Sequence, residues 1–370
     1  MIRTLLFCWA ALGLVVGLGS WGSTVEAARK VRFAKKSYGK TPITNKDLAL
    51  KKVTSSRYTE SFSLWAWNKK GWSVFGVFLV ARVHPFVGTR VGVQLSVYDP
   101  KGNVYHKLQE FKVRHLTAKK NRLFLKVKKH FLKSNLQKGK MRIKWDKFGF
   151  NLQFASLLKG IRLYGGPVRL GRRRFIGVSF GPRLVVSGSL TVKGQPVKFD
   201  GIGYAERSWQ NVPHKMARRW FNLRAFNKDY TVIATEMLPL RQWRPRSIPS
   251  LSIAYKNKWI VKATPKHIQY SVRQKKKDRS AGYRVPQYVR YRAKLPSGTS
   301  VDVVIRAKRR LHRLDVLSHV PGWLRSLVQR LITKPFMYRY INRVSLKVVG
   351  KSGTDQTVLK GFSEWVFLNP

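Results

Sequence analysis

Apolar and polar residues alternate along most of this chain, most clearly over 184–209, LVVSGSLTVKGQPVKFDGIGYAERSW. Small or polar residues separate Val186, Leu190 and Val192, a period of two that predicts a half-buried strand. Lys193, Gly194, Gln195 and Pro196 supply turn chemistry. Val197, Phe199 and Ile202 resume in a second strand, with Asp200 and Gly201 as a bend or bulge. The hairpin ends in a polar–aromatic cluster, Tyr204, Glu206, Arg207 and Trp209.

The same period recurs on both sides. SFSLWAW, WSVFGVFLVARV, TRVGVQLSVYD and NVYHKLQEFKV follow one another across short turns, which predicts antiparallel β structure. RLFLKVK and KMRIKWD alternate apolar with basic residues, so one face goes to a core and the other presents Lys and Arg to solvent. Residues 148–158 read as a strand or a short helix. WFNLRAF and YTVIATEM predict a further hairpin turning at Asn227, Lys228 and Asp229. The proline-bearing 238–250 reads as a loop, either an inter-barrel connection or a lid, and strands resume at 251–263, 268–272, 288–293 and 301–307. The clearest helix is 315–333, with Pro321 near its start and Leu324, Leu327, Val328 and Leu331 on one face. It either packs on a barrel or forms an amphipathic segment for a membrane surface.

SGSLTVKGQPVKFDGIGYAERSWQ resembles the hairpin and G-x-G-[YW]-x-[DE]-x-x-W segment of the lipocalin-like carotenoid hydratase (CrtC)/AttH-type superfamily. A distant branch of that superfamily contains survival-factor-type lipid carriers. The resemblance covers about residues 175–240 and extends more weakly to 58–112 and 335–367. It implies an all-β fold of two consecutive lipocalin-like antiparallel barrels, with one short amphipathic helix added by the periodicity. An internal echo points the same way. Ser189-Leu190-Thr191-Val192 is matched by Ser345-Leu346-Lys347-Val348, and Gly203-Tyr204-Ala205-Glu206 by Gly361-Phe362-Ser363-Glu364, at offsets of 156 and 158 residues. The expected barrels are 57–210 and 211–370, preceded by a basic, flexible arm over 28–56.

Residues 1–27 read as a secretory signal peptide: Arg3, an apolar run over 5–18, and Val25-Glu26-Ala27 as a cleavage site. An uncleaved anchor is the alternative, although the run is short for a spanning helix. Cys8, the only cysteine, lies in this leader, so the mature chain has no disulfide, thiol nucleophile or cysteine ligand. Export without disulfides fits a periplasm or cell envelope, with secretion also open.

Charge changes the picture most. Lys and Arg number 75 against 15 Asp and Glu, a net charge of +60 that loss of Arg3 and Glu26 leaves unchanged. At 44% hydrophobic and 12% aromatic the chain is not disordered, so this charge covers folded surfaces and repels itself. An anionic partner is one explanation, and an acidic exterior that devalues carboxylates is another. Basic residues among aromatics suit single-stranded nucleic acid. No nucleic-acid module is present, however, and export argues against that partner.

H-E-x-x-H and P-loop motifs are absent, and the eight histidines show no metal-ligand spacing, so no metal or cofactor is expected. The scarce acids point to Glu206 and Glu236, read as lying on consecutive aromatic-rich strands, as candidate catalytic groups with Trp209. A buried carboxyl there can keep its proton and act as an acid. The structural alternative pairs Glu206 with Arg207 or Arg224. The resemblance implies a histidine two residues before the motif tryptophan, where this chain has Arg207, and a tyrosine and aspartate on the next strand, where it has Ala234 and Glu236. Arginine cannot shuttle a proton. A binding site needs less, and Tyr204, Arg207, Trp220, Trp65 and Trp67 are its candidate lining. The sequence thus points to an exported carrier for a hydrophobic or amphipathic ligand, such as a lipid or isoprenoid, near an anionic membrane or lipopolysaccharide surface. A hydratase- or isomerase-like enzyme on a polyene or terpenoid is the alternative.

Overall fold

The computed structural model describes residues 31–33, 42–51, 58–82, 88–211, 215–243, 247–318, 325, 329, 334–350 and 353–368. The expected signal peptide lies outside them. The chain divides into two compact units: 34–167 with 173–213, and 168–172 with 214–370.

The second unit also takes in β1 (Val31–Phe33), which pairs antiparallel with β12 (Val168–Leu170). In the first unit a one-turn helix α1 (Asn45–Leu48) precedes β2 (Tyr58–Trp67), β3 (Ser73–Arg82), β4 (Thr89–Tyr98) and β5 (Val104–Lys112). Then come β6 (Leu116–Ala118), β7 (Leu123–Val127), β8 (His130–Ser134), β9 (Lys138–Lys144), β10 (Phe148–Ser156) and β11 (Ile161–Arg162). The unit ends in a long hairpin, β13 (Arg173–Val192) and β14 (Gln195–Gln210). In the second unit β15 (Ala217–Phe226), β16 (Tyr230–Pro239), β17 (Ile248–Tyr255) and β18 (Lys258–Ala263) lead to β19 (Ile268–Lys277) and β20 (Arg284–Lys294). β21 (Ser300–Asp315) and a closing hairpin, β22 (Phe336–Gly350) and β23 (Gly353–Phe367), complete it.

The expected all-β architecture of antiparallel barrels is present. The first sheet runs β5-β4-β3-β2-β14-β13-β10-β9-β8-β7-β6, and the second runs β18-β17-β16-β15-β23-β22-β21-β20-β19. From β5 to β8 the first order matches the second strand for strand. In each unit the last hairpin inserts beside the first strand, so β2 and β15 are paired on both edges. The internal echo is this closing hairpin, once per unit. Strand period puts Phe62, Leu64 and Ala66 of β2 inside one core, and Leu223 and Ala225 of β15 inside the other.

Residues 148–158, read as strand or short helix, are mostly strand, as β10. Three local expectations change. β13 begins well before 184 and absorbs register shifts at Ser179/Gly181 and Gly181/Leu184. Residues 42–51 of the expected flexible arm fold into the first unit: Leu48 is fully buried, and Arg162 bonds Asp47 at 2.9 Å. Of the expected helix 315–333, Asp315 ends β21 and Arg325 and Gln329 are helical. The apolar face Leu324, Leu327, Val328 and Leu331 lies outside the described residues.

Gly76 shows how tightly the first barrel is filled. A Cβ there meets Phe150 at 2.6 Å and Ile143 at 3.1 Å. Gly76→Ala therefore overpacks the core and is expected to cost about 1–3 kcal/mol, read as a lower midpoint in chemical denaturation. An unchanged midpoint contradicts this packing.

Candidate functional site

Strand alternation divides the expected cluster between two faces. On β14, Ala205, Arg207 and Trp209 point into the first barrel, while Tyr204, Glu206 and Ser208 point outward. Tyr204 lies 6.0 Å from Trp65, which packs edge-on against Phe75 at 5.4 Å and donates its indole N–H to Ser73 at 2.9 Å. Trp67 shares that outward face and is buried. Glu236 and Trp220 belong to β16 and β15 of the second unit. Glu206 and Glu236 are therefore not on consecutive strands: β14 pairs with β2 and β13, and β16 with β15 and β17. Glu206, Trp209 and Glu236 do not form one constellation, because Glu206 and Trp209 occupy opposite faces of β14.

What each interior does contain is one buried arginine–glutamate pair, and half of each pair escapes the sequence reading. In the first barrel Arg207 Nε donates to Glu60 Oε1 at 2.6 Å, and the Lys51 N–H donates to Oε2 at 3.2 Å. Arg207 Nη1 donates to the Asp47 carbonyl at 2.6 Å, tying α1 to the pair, and the guanidinium lies 5.7 Å over Phe62. Both side chains are almost fully buried. Burial pushes the Glu60 carboxyl up, against the pull of Arg207. Around Asp47, burial is outweighed by the Thr44 N–H and Arg162, which hold that carboxyl below the usual range.

In the second barrel Arg219 donates to both oxygens of Glu236, at 3.0 and 3.3 Å, and Ser247 adds a bond at 3.0 Å. The same guanidinium lies 5.3 Å over Trp365. Glu236 is fully buried, and burial pushes its carboxyl up against Arg219. Register carries this level across the sheet as Glu236, Phe221, Trp365, Tyr338 and Arg313. Phe221 and Trp365 stack with centroids 4.3 Å apart. Asp278 closes the end of the row, accepting from Arg313 at 2.5 Å and Tyr338 at 2.7 Å.

The first strands correspond through their pairing with the closing hairpin: Gly203 opposes Ala66, and Gly361 opposes Ala225. Counted from there, Glu60 and Arg219 occupy the same position with opposite charge. Their partners come from opposite sides, Arg207 from the last strand and Glu236 from the second. The missed residues had a signal: Glu60 keeps phase with Phe62, Leu64 and Ala66, and Arg219 with Phe221, Leu223 and Ala225. The sequence reading also passes over one G-x-S-x-G spacing, Gly177 to Gly181. It lies inside β13, not at a strand-to-helix turn, and Ser179 is fully buried, its hydroxyl 3.5 Å from the Ala205 carbonyl.

Among the described residues, open space includes two clefts. One of about 860 Å³ in the first unit is lined by Leu123, Phe124, Asn45, Asn135, Gln153 and lysines of β8 and β9. One of about 560 Å³ in the second unit is lined by Ile268, Gln269, Arg292, Lys294, Asp302 and Lys347. Among the described residues no group of three His, Cys, Asp or Glu side chains could hold a metal, and no helix is long and apolar enough to cross a membrane.

Two antiparallel barrels, each closed by a hairpin beside its first strand, define a tandem lipocalin-like protein. The Svf1 family model matches residues 15–369, and the chain belongs to that family. It is 28% identical over 204 residues to the ceramide-binding protein svf1 of Schizosaccharomyces pombe, covering 52% of each chain. It is 24% identical over 192 residues to the ceramide-binding protein SVF1 of Yarrowia lipolytica, covering 46% of each. The chain thus spans about half the length of these curated relatives. Among solved structures, CghA bound to Sch210972 superposes with a TM-score of 0.60 at 11% identity, covering 85% of this chain and 89% of that one. Kievitone hydratase of Nectria haematococca gives 0.55 at 12% identity, covering 90% and 93%. A Nitrosomonas europaea protein described as an AttH gives 0.55 at 13% identity, covering 84% and 92%. At these identities the likeness shows the fold.

Removing one member of a buried pair strands the other charge. Arg207→Met and Glu60→Leu are each expected to cost about 3–5 kcal/mol in chemical denaturation, and the double variant to recover most of it. Additive losses contradict a coupled pair. Glu110 on β5 offers a pH test, since burial outweighs Arg90, 3.4 Å away, and pushes its carboxyl to about 7. Between its ordinary value of 4.5 and about 7 the folded chain keeps a proton the unfolded chain has lost, so stability falls as pH rises. Glu110→Gln should flatten the melting temperature across that window, and an unchanged pH profile would show that Glu110 ionises normally.

Proposed function

We propose that this chain binds and carries an amphipathic lipid of the ceramide class, and that it is exported and works at an anionic membrane or envelope surface. The observation that carries the reading is membership of the Svf1 family, three of whose matched relatives are named ceramide-binding proteins. A ceramide joins two alkyl chains to a neutral head of one amide and two hydroxyls. Such a head needs hydrogen-bonding side chains beside apolar surface. The first-unit cleft offers both, with Asn45, Asn135 and Gln153 next to Leu123 and Phe124.

The hydratase reading has less behind it. An acid that protonates an alkene needs a free carboxyl facing the substrate. Both oxygens of Glu236 are bonded by Arg219, and those of Glu60 by Arg207 and Lys51. Arg207 stands where the resemblance places a histidine.

Mass spectrometry of the natively purified chain tests cargo and export together. Amide-linked sphingoid lipids should co-purify, and the intact mass should correspond to a chain beginning at residue 28. An uncleaved chain defeats the export reading alone. A lipid-free chain that turns over a polyene panel defeats the carrier and promotes the enzyme.

A further inference from the structure

We infer that the outer face of β20–β23 is the surface with which the second unit docks on an anionic bilayer, and that the adjoining 560 Å³ cleft seats a lipid phosphate. This deepens the anionic-surface reading above and rests on it. Register builds the face. Arg273, Tyr288, Arg306, Arg343 and Lys360 stand directly opposite one another across β19 to β23. Neighbouring strands lie about 4.8 Å apart, and like charges directly opposite destabilise a sheet. Arg306, Arg343 and Lys360 are nevertheless three consecutive exposed cations in that row. The next row outward carries Arg290, Val304, Ser345 and Val358, and the one beyond it Arg292, Asp302 and Lys347.

Asp302 is the only carboxylate among these rows, and Arg290 holds it side-on at 2.8 and 3.2 Å. Arg292 lies 3.7 Å from the same carboxylate, and none of Arg306, Arg343 and Lys360 has a carboxylate opposite it. The row of Arg292 and Lys347 runs into the cleft, where Lys294 and Lys266 add charge. A sheet that opposes cation to cation over three strands gains when a planar array of anions supplies the missing charge.

The face favours a bilayer over single-stranded nucleic acid. Binding a strand of bases needs exposed aromatic platforms. The one ring in these rows, Tyr288, is covered by Arg306 at 5.8 Å. Between the cations stand the aliphatic Val304 and Val358, and Val358 is 47% exposed. Cations around an exposed aliphatic suit the headgroup boundary.

Vesicle flotation with the full chain tests this, using phosphatidylcholine vesicles with and without phosphatidylserine. The natural chain should float with the anionic vesicles. R306E/R343E/K360E should weaken that binding about tenfold or more, since each basic residue near such a surface contributes. K101E/K112E/K126E makes the same charge change on exposed lysines of the first unit and should lose far less. Circular dichroism checks that both triples fold, and R306Q/R343Q/K360Q, which only neutralises, should fall between the natural chain and the reversed one. If both reversed triples lose binding equally, charge acts without a face and the inference is overturned while the anionic-surface reading stands. If the natural chain floats equally with neutral vesicles, that reading fails. If single-stranded RNA strips it from anionic vesicles at equal charge, the partner is nucleic acid and the docking face is overturned.

Discussion

A charge carried into a barrel on the strand that has no free edge must meet its opposite inside. β2 and β15 are each hydrogen-bonded on both sides, and each brings one charged residue into its core, Glu60 or Arg219. Burial of an isolated ion costs far more than a domain can absorb. A neighbouring strand therefore supplies Arg207 in one barrel and Glu236 in the other. Because side chains alternate with a period of two, a one-residue slip of either strand expels one partner and strands the other. The pair thus selects register as much as it adds stability. In the first barrel it also fixes α1, since Arg207 holds the Asp47 carbonyl while Arg162 holds the Asp47 carboxylate.

Pairing with arginine recurs at other carboxylates. Asp47, Glu60, Glu236, Asp278, Asp302 and Glu364 each bond an arginine: Arg162, Arg207, Arg219, Arg313, Arg290 and Arg339 respectively. Arginine is the cation whose planar fork suits such pairs, and lysine is a flexible, strongly hydrated point charge. Other acids sit at the surface with lysine, as Asp146 with Lys129 and Asp200 with Lys198. Cations far outnumber them, which gives the net charge of +60. The interiors and the surfaces thus follow different rules, and a partner or environment that tolerates the surface need not affect the core.

Period two made most strands readable from sequence, and the closing hairpin with its echo marked the repeat. Neighbourhood was not readable. Glu206 and Glu236 are thirty residues apart with the WFNLRAF strand between them, and β14 returns to β2, a pairing that nothing local in the chain encodes. The burial of Leu48 was equally hidden, because α1 is a single turn held by residues more than a hundred positions away. Glu60 and Arg219, the other halves of the inner pairs, were readable from phase. Glu60 lies in step with three core-facing residues of its own strand, and such a carboxylate requires a partner.

Fold likeness to a hydratase and family likeness to ceramide-binding proteins pull the functional reading in different directions, and a fold alone does not choose between them. The choice rests on side chains. A proton relay needs an acid, a shuttle and a cation-stabilising ring on one face. Here the outward Glu206 is separated by the sheet itself from the inward Arg207 and Trp209. At the corresponding level of the second barrel, Trp365 and Phe367 replace Arg207 and Trp209, and the acid Glu236 is clamped by Arg219. The candidates read from the sequence, Glu206, Trp209 and Glu236, therefore do not assemble the three functions, whereas a carrier needs only surface and a few hydrogen bonds. Among the described residues each barrel holds a large cluster of buried apolar side chains, and cations border the two clefts. Arg122, Lys133, Lys138 and Lys140 border one cleft, and Lys266, Arg292, Lys294 and Lys347 the other, so each opening is rimmed by cations.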